Sequence, residues 1–172
     1  MPPISAVNVS LSVLIITLSD RASSGVYADR SGPRIREMLD DYFAGRKINA
    51  TIENRLLPDD AGQLRNEILH GIQEGIDVIF TTGGTGVGPR DITPDTVVPL
   101  CDRLLPGIME HIRVKFGTAN PRARLSRAVA GIAGKTQIYT LPGSVRAVDE
   151  YVPEILATLE HVAEVLRGTD TN

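Results

Sequence analysis

Leu11-Ser12-Val13-Leu14-Ile15-Ile16-Thr17-Leu18 is an apolar, partly β-branched run that stops at Ser19-Asp20-Arg21. Its eight residues have the length of a strand. Apolar side chains at successive rather than alternate positions predict burial on both faces. The competing readings fail on chemistry. A secretory signal carries basic residues ahead of its apolar segment, and here the first basic residue, Arg21, follows it. A membrane-spanning helix needs roughly 20 apolar residues. A strand covered on both faces belongs in a parallel sheet with helices above and below it.

Outward from that strand, the pattern alternates. After the turn-rich stretch 19–32, Pro33 is placed to open a helix, with Ile35, Met38, Leu39, Tyr42 and Phe43 at helical spacing. Ile48–Leu57 reads as a second strand ended by Pro58, and 60–74 as a helix with Leu64, Ile68 and Ile72 inward. Ile76–Thr81 reads as a third strand. This βαβαβ order predicts an α/β fold: a doubly wound, mostly parallel sheet with helices on both faces, three layers α/β/α. Further on, Thr93-Pro94-Asp95 reads as a helix start, with Thr93 capping, Pro94 in the first turn and Asp95 at the positive end. Pro99 and Pro106 divide 94–116 into two short helices. Residues 123–133 fit neither period. Lys135–Leu141 reads as a fourth strand and Ser144–Arg167 as a last helix, which Pro153 should kink or divide. One domain is expected over 1–172, with its core at about 11–167 and loose tails at Met1–Ser5 and Gly168–Asn172.

Composition narrows the function. The 172 residues hold 18 Lys and Arg against 21 Asp and Glu, a net charge of −3. No basic excess marks a nucleic-acid or membrane partner. Tryptophan is absent and aromatics are 4% of the chain, which disfavours a base-stacking platform. Cys101 is the lone cysteine, so no internal disulfide or Cys-rich metal site forms, and a reducing cytoplasm fits. Cys101, in a helical region, reads as core rather than nucleophile. His70, His111 and His161 share no ligand spacing, and each reads as surface or core. No Ser/His/Asp arrangement can be nominated.

In an open parallel sheet, ligands bind beyond the carboxyl ends of the strands. Those ends carry Ser19 and Asp20, then Asp59 and Asp60, then Thr81-Thr82-Gly83-Gly84-Thr85-Gly86-Val87-Gly88-Pro89-Arg90-Asp91, then Pro142-Gly143-Ser144. Glycines let backbone amides approach an anion, and the Thr82 and Thr85 hydroxyls add donors, so the third segment reads as a phosphate loop. It matches neither standard fingerprint: Gly88 is followed by Pro89-Arg90 rather than Lys-Ser/Thr, and Gly84, Gly86 and Gly88 alternate. A glycine turn without ligand is the alternative. Carboxylates beside such a loop suit a Mg²⁺ ion shared with substrate phosphates. Asp91 has no obvious capping role. Asp59 is either a ligand or a helix cap, and Asp95 reads better as a first-turn helix charge than as a metal ligand. Arg90 is balanced between a phosphate clamp and a solvated side chain, and Asp20 between a ribose partner and a turn cap.

At these residues the chain resembles the molybdenum cofactor biosynthesis family that includes MogA, MoaB and the gephyrin G domain. The resemblance runs from about Leu11 to Arg167. It is carried by residues 18–25 (LSDRASSG), 57–60 (LPDD), 81–95 (TTGGTGVGPRDITPD) and 141–144 (LPGS), with 125–131 (LSRAVAG) as a weaker match. The resemblance implies Mg-dependent adenylylation of molybdopterin by ATP, giving adenylyl-molybdopterin and pyrophosphate. It further implies Asp59 and Asp91 as the essential acidic pair, a phosphate loop at Gly83–Gly86, and Ser19 and Asp20 near the nucleotide or pterin. Gly143 and Ser144 would line the same pocket, and Ser126 would meet the pterin. A homotrimer or hexamer and a molybdate-inserting partner protein are also implied. The N-terminal half looks like the MogA branch and the C-terminal half more like MoaB. Some MoaB-type relatives are inactive and lose the acidic pattern; Asp59, Asp91 and Asp95 are all present here. The alternatives are an inactive molybdopterin-binding or scaffold protein and a nucleotide pyrophosphatase.

Overall fold

The computed structural model describes residues 10–169. The expected tail Met1–Ser5 lies outside the described residues. In chain order the elements are β1 (Ser10–Leu18), α1 (Asp20–Ser23), α2 (Ser31–Arg46), β2 (Asn49–Leu57), α3 (Ala61–Gln73), β3 (Val78–Thr82), α4 (Thr93–Val97), a 3₁₀ turn (Val98–Leu100), β4 (Arg103–Leu104), α5 (Pro106–Gly117), a second 3₁₀ turn (Pro121–Leu125), β5 (Ala130–Ala133), β6 (Thr136–Leu141) and α6 (Val145–Arg167). The sheet order is β2-β1-β3-β6-β5-β4. β2, β1, β3 and β6 run parallel, while β5 is antiparallel to β6 and β4 to β5.

β1 is covered on both faces, as its sequence requires. Leu11, Val13 and Ile15 join one core cluster with Ile35, Leu39 and Phe43 of α2 and Val148, Val152 and Ile155 of α6. Leu14, Ile16 and Leu18 join the opposite cluster with Leu64 and Ile68 of α3 and Val97 of α4. The apolar residues of α2 and α3 recur at i and i+4, so each helix has one stripe to bury.

Local chemistry sets the helix ends. The Asp60 carboxylate accepts from Gln63 N at 2.8 Å and caps α3, which frees Asp59 from that role. Ser144 caps α6 by accepting from Ala147 N at 3.1 Å, and Gly168 ends it with φ +70°. α2 starts at Ser31, two residues before Pro33. Its first turn is held by Asp29, whose carboxylate accepts from Ser31 N at 3.1 Å and Gly32 N at 3.2 Å.

Two further expectations are corrected, and one ambiguous stretch is resolved. Thr93 does not cap α4: its hydroxyl donates to Gly83 O at 2.8 Å. Pro153 does not divide α6, which continues from Val145 to Arg167; the proline sits on the exposed side, where losing one backbone donor is tolerated. Residues 123–133 resolve into the end of a 3₁₀ turn and the short antiparallel strand β5, which is too short to show a period.

The chain leaves β1 outward to β2 and returns on the other side to β3. The order therefore reverses between β1 and β3, and a crevice opens beyond their carboxyl ends.

Candidate functional site

Four loops meet at that crevice, and backbone hydrogen bonds tie them to the strands. Ser19 N donates to Leu57 O and Gly83 N to Leu141 O, each at 2.9 Å. Asp20 and Asp59 then exchange bonds: Asp59 N donates to Asp20 Oδ1 at 2.9 Å, and Asp20 N to Asp59 Oδ2 at 3.2 Å. This reciprocal pair holds the loops after β1 and β2 in register. The Arg90 guanidinium, from the glycine loop, forms an ion pair with the other oxygen of Asp20.

The glycine loop is built with its carbonyls turned to the scaffold. Gly83 O accepts from the Thr93 hydroxyl, Gly84 O from Thr93 N at 3.0 Å, Thr85 O from Arg127 N at 2.8 Å and Gly86 O from Arg127 Nε at 2.8 Å. The amides of Gly84, Thr85 and Gly86 donate to no acceptor among the described residues. Gly83 and Gly84 adopt φ +108° and +66°, in a region that glycine enters without the steric cost of a side chain. The Asp91 carboxylate closes the loop by accepting from Gly88 N at 2.8 Å.

Two cavities flank this loop. The larger, about 470 Å³, is lined by Ser19, Asp20, Asp59, Gly83, Gly84, Arg90, Asp91 and Gly143, and also by Asp29 and Tyr27. The smaller, about 380 Å³, is lined by Gly84, Thr85, Gly86, Asp91, Ser126, Gly143 and Ser144, with Leu125, Arg122 and Arg146. Gly84, Asp91 and Gly143 belong to both. The site is thus a pair of cavities joined at a loop of free amides and one carboxylate. Each chamber falls in the size range of small-molecule sites, roughly 300–1,000 Å³.

Residues 14–161 match the family model described as "Probable molybdopterin binding domain". The chain belongs to this molybdenum cofactor biosynthesis family. It is 32% identical over 155 residues to the molybdopterin adenylyltransferase of Helicobacter pylori strain J99, covering 90% of this chain and 86% of that protein. It is 35% identical over 159 residues to gephyrin of Dictyostelium discoideum, covering 90% of this chain. The chain spans only 22% of that gephyrin's length and 26% of the Drosophila melanogaster cinnamon protein's. Among solved structures, the molybdopterin biosynthesis enzyme MoaB of Thermus thermophilus superposes with a TM-score of 0.81 at 36% identity, covering 92% of this chain and 97% of that one.

Two residues expected in this family site lie outside both cavities. Thr82 is fully buried and its hydroxyl donates to Pro142 O at 3.0 Å, so it links the loops after β3 and β6 rather than meeting a phosphate. The Asp95 carboxylate is exposed and faces the Arg127 guanidinium at 3.0 Å and 3.1 Å, away from Asp59. Ser126 is brought to the smaller cavity, where its hydroxyl lies 3.4 Å from that of Thr85.

Arg127 is the residue that sequence reasoning missed. Its guanidinium donates to Gly86 O, to Asp91 O at 2.7 Å and to both Asp95 oxygens, so one planar fork sets the outer side of the family's glycine loop. Its partners stand 32 to 41 positions away in sequence, beyond the reach of any local pattern.

Cys101 is half-buried and donates to Val97 O at 3.5 Å. Burial, with Asp102 beside it, pushes its thiol up to about 11. The thiolate is therefore scarce at neutral pH, and titration with a disulfide reagent at pH 7.5 should show Cys101 reacting slowly until the protein is unfolded. Rapid modification of the folded chain would contradict that environment.

Proposed function

We propose that this protein transfers the adenylyl group of ATP to the terminal phosphate of molybdopterin, releasing pyrophosphate. The observation that carries the reading is the pair of cavities meeting at the amides of Gly84–Gly86 and the Asp91 carboxylate. A transfer between two phosphate-bearing substrates needs two chambers and one shared phosphate site. The larger cavity takes the nucleotide, with Ser19, Asp20 and Gly143 on its wall. The smaller takes the pterin, with Ser126, Thr85 and Ser144. An oxygen of the pterin's phosphate forms a bond to the α-phosphorus of ATP, and the bond from that phosphorus to the bridging oxygen breaks. Pyrophosphate leaves with the electron pair. The attacking group is already an anion, so no strong side-chain base is required. The work of the chain is positioning and charge stabilisation. Free amides on the glycine loop and Arg90 stabilise the charge on the phosphates.

Mg²⁺ fits this donor set. No group of three or more His, Cys, Asp or Glu side chains among the described residues forms a closed metal cage. Mg²⁺ commonly binds through one or two carboxylates plus substrate phosphates, and Asp59 and Asp91 both line the nucleotide chamber. There it would offset phosphate charge when bound.

The test is product formation. Molybdopterin, ATP and Mg²⁺ are incubated with the protein and AMP-linked pterin is followed by chromatography. Product that depends on all three components is expected. Hydrolysis of ATP or ADP-ribose without pterin would replace this reading with a pyrophosphatase. Tight pterin binding without product would replace it with a binding protein. Assembly as a trimer and a cytoplasmic location belong to the same reading, and light scattering and cell fractionation test them. No helix among the described residues is long and apolar enough to cross a membrane.

Arg127 supplies a further expectation. Arg127→Lys keeps the charge but has a single ammonium and cannot reproduce the fork that holds Gly86 O, Asp91 O and Asp95 together. Adenylyl transfer should fall about tenfold or more, chiefly in kcat, since a slightly displaced phosphate site costs transition-state positioning. Unchanged kcat in a folded Arg127→Lys protein would show the fork to be dispensable.

A further inference from the structure

The chain has four tyrosines and no tryptophan. Tyr139 and Tyr151 are buried in the core, and the half-buried Tyr42 places its hydroxyl between Leu156 O and Glu160. Tyr27 differs from all three. It is 45% exposed and is the one aromatic side chain among the residues lining the larger cavity. Two contacts fix its ring. Its hydroxyl shares a hydrogen bond of 2.9 Å with that of Ser19, and the Arg21 guanidinium lies over the ring, 5.1 Å from its centroid.

Aromatic rings contribute most to stability when buried, so a ring anchored at a cavity wall forgoes core packing for contact with whatever fills the cavity. A tyrosine held at its hydroxyl and stacked under a guanidinium is already ordered, and a ligand that binds against it need not order it. The polar part of this cavity offers carboxylates, hydroxyls and glycine backbone at Asp20, Asp59, Ser31, Gly83 and Gly84. Those groups suit phosphates, a cation and ribose hydroxyls. The aliphatic lining is confined to Leu18, Ala22, Ala28 and Val145, and Tyr27 alone presents an aromatic face to a heterocycle.

We infer that Tyr27 is the stacking platform for the adenine of ATP in the larger cavity. The inference rests on the adenylyl-transfer reading and assigns the nucleotide's base end to the loop after α1. The phosphates then run from Tyr27 across the cavity to Gly83, Gly84 and Asp91. Stacking accepts any purine, so Tyr27 sets nucleotide affinity more than base identity.

The test uses α,β-methylene-ATP, which binds like ATP but cannot transfer its adenylyl group. Calorimetry with Mg²⁺ compares the wild type with Tyr27→Leu and Tyr27→Phe, and tripolyphosphate serves as the base-free competitor. Tyr27→Leu should weaken the analogue about tenfold or more, the size of one base–aromatic stack, and Tyr27→Phe should stay within about threefold of wild type. Tripolyphosphate should compete equally well in all three. Tyr27→Trp places a sole tryptophan in the chain, and its fluorescence should change when the analogue binds and not with molybdopterin alone. An unchanged affinity in Tyr27→Leu would overturn the inference while leaving adenylyl transfer standing. So would an equal loss for tripolyphosphate, or a fluorescence change with the pterin only. Failure of the wild type to bind the analogue at all would overturn the adenylyl-transfer reading itself, and the inference with it.

Discussion

Asp91→Asn should leave a folded protein whose adenylyl transfer is reduced about 10²- to 10³-fold, the loss expected when one preorganised electrostatic group is removed from a transition state. The substitution separates two roles of the side chain. One is structural: the carboxylate accepts from Gly88 N at 2.8 Å and closes the glycine loop. Asparagine retains an oxygen for that bond, so the loop keeps its shape. The other role is electrostatic, because Asp91 borders both cavities and brings a negative charge to where a phosphate-borne cation would sit. Asparagine removes that charge. Initial rates of AMP-linked pterin formation at saturating substrates, with circular dichroism as the folding control, measure the effect. A rate within about threefold of wild type would reduce Asp91 to a loop closure. Asp91→Ala loses both roles and should be at least as impaired, with lower thermal stability besides.

The largest effect on stability is expected at Gly83. Its φ of +108° is a region that side-chain-bearing residues rarely occupy, and a Cβ built there would overlap the carbonyl oxygen of Leu18. That oxygen belongs to the end of β1, so it cannot move aside as a flexible side chain would. The glycine is also held at both ends, by Leu141 O on its amide and the Thr93 hydroxyl on its carbonyl. Gly83→Ala should therefore cost about 3–5 kcal/mol through backbone strain and overpacking together. Urea denaturation followed by circular dichroism would read this as a lowered midpoint. Gly143→Ala is the internal control. Its Cβ would lie 3.2 Å from the Cα of Gly83 without a strained backbone, and about 1 kcal/mol is expected. A loss below 1 kcal/mol for Gly83→Ala would mean that the loop relaxes freely.

The correct and incorrect sequence expectations divide along a physical line. The helices α2, α3 and α6 were legible because each buries a periodic apolar stripe, and the strands β1, β2, β3 and β6 because each is a short run bounded by turn residues, and both signals are local in the sequence. The glycine segment was legible as the loop that leaves β3, because glycines cluster where a strand has to end. Errors fell where one residue had two plausible partners. Thr93 has the residue type and position of a cap, yet its hydroxyl goes to Gly83 O. Asp95, by contrast, lies in the first turn of α4 as its sequence position implies, and only its pairing with Arg127 across the fold was beyond local reading. Thr82 resembles a phosphate donor until β6 is laid beside β3 and Pro142 O comes within reach.

By itself the sequence determined the α/β class, the parallel arrangement and the edge of the sheet at which polar and glycine residues collect. These follow from side-chain period and from the rule that parallel strands send their carboxyl ends to one side. The tertiary structure alone decided which of those residues share a wall. It joined Asp20 to Asp59 across 39 positions, turned the loop carbonyls onto Thr93 and Arg127, and separated two chambers on either side of Asp91. Hydrogen bonds between distant segments depend on how helices and strands pack, and no local pattern encodes that distance.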